Sequence, residues 1–151
     1  YMQARPEKAR EFGVAALERA LAGVGGTTAV HICFGYAAII HGRPSAYSFL
    51  PELAVCSCDQ ISIETGQSGI DTAVLETLPG KRIILGVIDL EDLAVESPET
   101  VAGRIRRALP QKRPEELIAA PDCGMKYLPR DVAYGKLESL VAGAAIVRSQ
   151  Q

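Results

Sequence analysis

Four short apolar runs set the terms for any fold this chain can adopt: Ala29 to Phe34, Gln60 to Glu64, Arg82 to Asp89 and Leu117 to Ala120. Helical patterns fill the intervals between them. Pro6 to Val24 opens the chain as a helix. Ser68 stands where an N-cap would, with Asp71 three residues on, ahead of Ala73, Val74, Leu75 and Leu78, and Gly80 stops that segment. Ser97-Pro98-Glu99 is a second start signal: a cap, a proline in the first turn and an acid at the positive helix end. Val101, Ile105, Ala108 and Leu109 make its apolar stripe, with Arg104, Arg106 and Arg107 towards the other end. Arg130 to Val147 forms a longer final helix. The predicted order is α-β-α-β-α-β-α-β-α. Strands that alternate with helices are joined by right-handed crossovers into a parallel sheet. The run Ile83-Ile84-Leu85-Gly86-Val87-Ile88 is continuous rather than alternating, as suits a strand covered on both faces. The fold class is therefore α/β, with about four βα units. No linker or low-complexity tract marks a second domain.

The chain has 151 residues, enough for one domain with a real core. Its formal net charge of -2 gives no electrostatic basis for binding nucleic acid or an anionic membrane surface. No apolar run reaches the roughly 18 residues of a membrane span. Tyr1 to Gly13 is polar and helical in character, unlike a signal peptide. A cytoplasmic location is expected. In a reducing compartment, the four cysteines Cys33, Cys56, Cys58 and Cys123 point to metal binding or catalysis rather than to disulfides.

Each apolar run ends in residues that packing would not choose. The first carries His31 and Cys33, the second ends in Glu64, the third in Asp89, and the fourth leads into Pro121-Asp122-Cys123-Gly124. In parallel β/α barrels the active site lies at the carboxyl ends of the strands, where the βα loops converge. His31 and Cys33 are two apart, which puts both on one face of a strand. Imidazole, thiolate and carboxylate together suit a tetrahedral zinc site, so His31, Cys33, Glu64 and Cys123 are the candidate ligands. Two thiolates and a carboxylate against Zn²⁺ sum to about -1. So electron-rich a zinc suits binding a substrate thiol and keeping it a nucleophilic thiolate.

Each residue alone has an ordinary structural reading. Cys33 and Cys123 could be small buried hydrophobes, His31 a satisfied structural histidine, and Glu64 a helix cap. It is their joint placement at strand ends that argues for a site. Asp89 lies on the same rim and is expected to orient His31 or another polar group, or to contact substrate. The alternative is a carboxylate that stabilises its own loop. Cys56 and Cys58 could be alternative ligands, a redox pair or loop packing; they precede the second strand, which places them away from the carboxyl-end rim and favours loop packing. His41, in His41-Gly42-Arg43-Pro44, reads as a surface residue.

His31-Ile32-Cys33-Phe34-Gly35, Asp59-Gln60-Ile61-Ser62-Ile63-Glu64, Leu85-Gly86-Val87-Ile88-Asp89 and Pro121-Asp122-Cys123-Gly124-Met125 resemble, in order and spacing, the C-terminal half of the catalytic domain of cobalamin-independent methionine synthase. The resemblance covers nearly the whole chain. It implies a β/α barrel of the TIM type, with zinc on His31, Cys33, Glu64 and Cys123 activating homocysteine for methyl transfer from methyltetrahydrofolate. The full-length plant and enterobacterial type has a second Cys where this chain has Gly35. It also has a His, credited with protonating the leaving group, where this chain has Glu91. Short single-barrel members are closer. They include epoxyalkane:coenzyme M transferase, which uses the same zinc on the thiol of coenzyme M. The stretch Ser45 to Leu53 belongs with these short relatives. For a sulfonate-bearing thiol, Lys126 and Arg130 just beyond Cys123 are the candidate anion contacts.

A complete barrel has eight strands and about 250 residues. Four strands make half of one. The chain is therefore expected to span the C-terminal half of a barrel over residues 1–151, and either to pair with a copy of itself or with the missing half, or to behave as a poorly soluble fragment. The expected partners are a small thiol, homocysteine or coenzyme M, and an alkyl donor. The competing reading is a zinc-binding module without catalysis of its own.

Overall fold

The computed structural model describes residues 6–34, 47 and 49–151. His41, Gly35 and most of the Ser45 to Phe49 segment lie outside the described residues.

Four strands form one parallel sheet in the order β1-β2-β3-β4: β1 (Ala29–Ile32), β2 (Gln60–Glu64), β3 (Arg82–Ile88) and β4 (Leu117–Pro121). The register aligns Val30, Ile61 and Ile83, then Ile32, Ile63, Leu85 and Ala119. Aligned residues of a parallel sheet point to the same face, and neighbours along a strand point to opposite faces. One face thus carries Val30, Ile32, Ile61, Ile63, Ile83 and Leu85, all buried in the main core. The other carries His31, Ser62 and Ile84 at one level, and Glu64, Gly86 and Ala120 at the next. The apolar face makes the core and the polar face makes the site.

The helices are α1 (Pro6–Lys8), a π-helical turn at Ala9–Gly13, α2 (Val14–Leu21), α3 (Pro98–Arg106) and α4 (Arg130–Arg148). The cap at Ser97 forms as its sequence indicates, with the side chain accepting from the Thr100 N–H. The segment after Ser68 departs from expectation. It is a 3-10 helix, Thr72–Thr77, capped by Asp71 rather than Ser68. The Ser68 hydroxyl instead donates back to the Glu64 carbonyl, at 2.9 Å. The Thr77 hydroxyl takes the Val74 carbonyl, at 2.7 Å, and competes for an acceptor that a longer helix would use. Gly80, at φ +73°, ends the segment in the left-handed region. A second 3-10 helix, Leu50–Val55, lies between β1 and β2.

α4 buries Lys136, Ser139, Gly143 and Val147 along one face. At Gly143 the helices α3 and α4 touch. A Cβ there would stand 2.6 Å from the Val101 Cβ and 2.8 Å from the Pro98 carbonyl oxygen. The backbone oxygen cannot rotate away. Gly143→Ala is therefore expected to destabilise the chain by about 1–3 kcal/mol through overpacking, more than the roughly 1 kcal/mol that alanine gains over glycine in a helix. Urea unfolding of the two proteins measures this. A variant as stable as wild type would show that the helix pair slides apart at little cost.

Candidate metal centre

His31 lies on the last turn of pleat in β1, and Cys33 follows two residues later on the same side. Glu64 is the last residue of β2, and Cys123 lies beyond the end of β4. Their ligand atoms all fall within 4.8 Å of one another. The Cys33 and Cys123 sulfurs are 3.6 Å apart, with neither cysteine in a disulfide. Two sulfurs on a tetrahedral zinc, each at about 2.3 Å, stand about 3.8 Å apart. The His31 Nε2 and Glu64 Oε1 atoms are 3.9 Å apart. The donor set and its spacing fit zinc.

Neighbouring groups hold His31 and Glu64. The His31 Nδ1 is 2.8 Å from the Ser62 hydroxyl, which leaves Nε2 to face the cluster. Metal-ligating histidines are commonly held in this way through the other ring nitrogen. Burial lowers the His31 pKa and favours the neutral ring that a metal needs. Glu64 is only 1% exposed. Its Oε1 accepts from the Phe34 N–H at 3.1 Å, so the carboxylate spans from β2 to the end of β1 rather than capping a helix. Tyr47 closes the same corner. Its hydroxyl accepts from the Glu64 N–H at 2.7 Å and donates to the Ile32 carbonyl at 3.2 Å, and its ring stacks on Phe34 at 4.4 Å.

Asp89, half-buried just after β3, uses its Oδ1 to accept from the N–H groups of Glu91, at 2.8 Å, and Asp92, at 3.4 Å. These are loop-stabilising bonds, and it is Ser62 that hydrogen-bonds the His31 ring. Asp89 still acts electrostatically on the neighbouring Asp122. Lys126 and Arg130 are exposed on the segment entering α4, with the Lys126 ammonium 4.8 Å from the centre of the Tyr127 ring. Cys56 and Cys58 are buried in the core, and burial pushes the Cys58 thiol up to about 11. Both carbonyls accept from the Lys81 ammonium. They pack; they do not join the cluster.

Sequence reasoning passed over Ser62 and Asp122. Ser62 carries a usable signal: it is two residues before Glu64 and so shares its face. Asp122 is 1% exposed, and burial pushes its carboxyl up to about 6, against hydrogen bonds from Gln67 and Gly66 that favour the anion. A carboxyl raised in the folded state costs stability once it ionises there. In the metal-free chain, stability is expected to fall as pH rises from about 4 to 6, by at most about 3 kcal/mol from this group. Asp122→Asn should remove that slope. Parallel stability profiles of the two proteins between pH 4 and 7 would contradict the assignment.

The fold and cluster define a class: a parallel β/α protein of the barrel type with a His-Cys-Glu-Cys cluster at its strand ends that could hold a metal ion. The chain belongs to the cobalamin-independent synthase family, whose catalytic-domain model matches residues 7–146. It is 31% identical over 141 residues to a methionine synthase of Sulfurisphaera tokodaii, covering 93% of this chain and 39% of that protein. It is 36% identical over 142 residues to a methionine synthase of Saccharolobus islandicus, covering 92% and 40% respectively. A B12-independent methionine synthase from Shewanella sp. W3-18-1, solved in complex with selenomethionine, superposes with a TM-score of 0.84 at 32% identity, covering 95% of this chain and 45% of that one. The chain thus spans about two-fifths of the length of these methionine synthase relatives. Among the described residues, no helix is long and apolar enough to cross a membrane.

Proposed function

We propose that His31, Cys33, Glu64 and Cys123 hold zinc, and that the centre serves methyl transfer to the thiol of homocysteine in methionine synthesis. The observation that carries this reading is the convergence of four ligand atoms within 4.8 Å. Bound zinc would supply the Lewis acidity that keeps a substrate thiol deprotonated and still nucleophilic. The chain's own residues do the positioning. Ser62 fixes the His31 ring, and the Phe34 N–H holds the Glu64 carboxylate. Two thiolates and a carboxylate give the centre an excess of negative charge, which suits thiol alkylation better than water activation. The methionine synthases among its relatives, and selenomethionine as the ligand of a solved one, support a methionine-class product.

For Asp89 we propose a substrate contact on the same rim, with its carboxylate facing an ammonium; its bonds to the Glu91 and Asp92 N–H groups support the alternative, a carboxylate that orders its own loop. A second reading has coenzyme M as the thiol, with Lys126 and Arg130 holding its sulfonate. The exposure of both cations close after Cys123 favours it. Competition between homocysteine and coenzyme M for the metal-bound sulfur position separates the two.

Residues 1–151 are further proposed to form the C-terminal half of a barrel. β1 and β4 are the two edges of the sheet. Open parallel edges associate. Sedimentation at micromolar concentration is expected to show a dimer or larger species. A stable monomer with a cooperative melt would contradict the half-barrel account. The function is tested by assaying methyl transfer from methyltetrahydrofolate to homocysteine, by the chain alone and with the first half of a relative's barrel added in trans. Product that needs both halves and zinc is expected. No product with both halves present and zinc bound would leave a zinc-binding module without catalysis.

A further inference from the structure

Cys33 and Cys123 come from opposite edges of the sheet. Three strand spacings separate β1 from β4, roughly 14 Å along the sheet at about 4.8 Å each. Their sulfurs nevertheless lie 3.6 Å apart. The segment after β4 must therefore turn back across the end of β3, and the structure shows what turns it. The β3–β4 register shifts between Gly86 and Ile88, a bulge-like irregularity of the kind that bends a strand end. The Asp122 N–H then donates to the Ile88 carbonyl at 3.2 Å, pinning the segment on the tip of β3. Its carboxylate reaches past β3 to the loop after β2. There Oδ1 accepts from the Gly66 N–H at 2.9 Å and Oδ2 from the Gln67 N–H at 2.8 Å.

The crossing needs room, and two glycines provide it. A Cβ on Gly86 would stand 2.5 Å from the Asp122 Oδ1, 2.7 Å from the Asp122 Cα and 2.8 Å from the Ile63 carbonyl oxygen. A Cβ on Gly66 would stand 2.8 Å from the same Oδ1 and 3.0 Å from the Ile88 backbone. Gly86 also lies in register with Glu64 on one side and Ala120 on the other. The notch is thus at the level of the ligands themselves.

We propose that Asp122, seated in the notch at Gly86, is the positioning residue that carries Cys123 across β3 into the metal centre. Asp122 is not one of the four candidate ligands. It ties the strand end that supplies Cys123 to the strand end that supplies Glu64, so that two ligands from non-adjacent strands move as one. The proposal rests on the zinc reading above and adds to it a determinant of ligand number. Partners outside the ligand shell commonly set metal affinity by about 10–100-fold.

The test is a cobalt(II) titration of the full chain, with the thiolate-to-cobalt absorbance measured per bound cobalt and thermal melts of the metal-free proteins recorded alongside. Wild type is expected to show the intensity of two thiolates. Cys123→Ser, at saturating cobalt, supplies the one-thiolate reference. Asp122→Ala and Gly86→Ala are expected to bind at least about tenfold more weakly and to fall to that reference intensity. Asp122→Asn has the shape of the native side chain and one of its two acceptors, so it should fold and show a smaller loss of affinity. Two-thiolate intensity with wild-type affinity in folded Asp122→Asn and Asp122→Ala would overturn the proposal. So would a lowered melt with full two-thiolate intensity, which marks a purely structural role. Absence of a cobalt–thiolate band in wild type would instead overturn the metal reading beneath it.

Discussion

Replacing Cys123 or Cys33 with serine is expected to abolish tight zinc binding in a chain that otherwise carries close to one zinc. Each cysteine supplies a sulfur to the four-atom cluster, and the two sulfurs sit 3.6 Å apart. A serine hydroxyl is a poor zinc ligand at neutral pH, so the shell drops to three and loses one of its two thiolates. The fall in affinity should exceed the roughly 10–100-fold cost of losing a partner outside the ligand shell. Metal content after dialysis against a chelator measures it. Full zinc retention in both variants would remove the site as drawn.

Lys136→Met is expected to destabilise the chain by about 3–5 kcal/mol, the usual cost of breaking a buried ion pair from one side. The Lys136 side chain is fully buried. Its ammonium donates to Glu96 Oε2 at 2.8 Å and to the Ala94 carbonyl at 2.6 Å. Glu96 Oε1 meanwhile accepts from Arg104 at 2.9 Å and from the Asp89 N–H at 2.7 Å. One carboxylate therefore ties the loop after β3 to both α3 and α4. Losing the lysine strands a charged oxygen and a backbone carbonyl. Burial raises the Glu96 carboxyl, but the bonds from Lys136, Asp89 and Arg104 outweigh it and hold the pKa below the usual range. The network's contribution is thus present above pH 4.5 and lost as pH falls below it. Urea unfolding at pH 7 and pH 4 should show a large deficit at the first and a smaller one at the second. The double variant Glu96→Gln/Lys136→Met should recover part of the loss. A single variant within 1 kcal/mol of wild type would show that water reaches the pair.

Much of this was legible in the order of residues. All four strands begin where their apolar runs begin, at Ala29, Gln60, Arg82 and Leu117. Strands of a covered parallel sheet are nearly continuous apolar runs, which makes them conspicuous. The cluster was legible for a related reason: His31 and Cys33 share a face by period two, and polar ligand types at successive strand ends have little structural excuse. What escaped was what depends on backbone partners far away in sequence. Asp122 binds N–H groups 56 and 55 residues distant, and an N–H group carries no side-chain signature. Lys136 meets Glu96 across 40 residues from a helix whose other charges face water. The segment after Ser68 differs for a local reason that a cap residue and an apolar spacing do not reveal: Asp71 rather than Ser68 caps it, and the Ser68 hydroxyl bonds back to the Glu64 carbonyl.

A zinc centre for thiol alkylation, as proposed for this chain, must take a substrate thiolate into the shell of the metal. X-ray absorption at the zinc edge, on the zinc-loaded chain with and without homocysteine, addresses it most directly. Two sulfurs per zinc are predicted before homocysteine, from Cys33 and Cys123, and three after it, as the substrate thiolate joins the shell. A sulfur count that stays at two with homocysteine in excess would contradict the account.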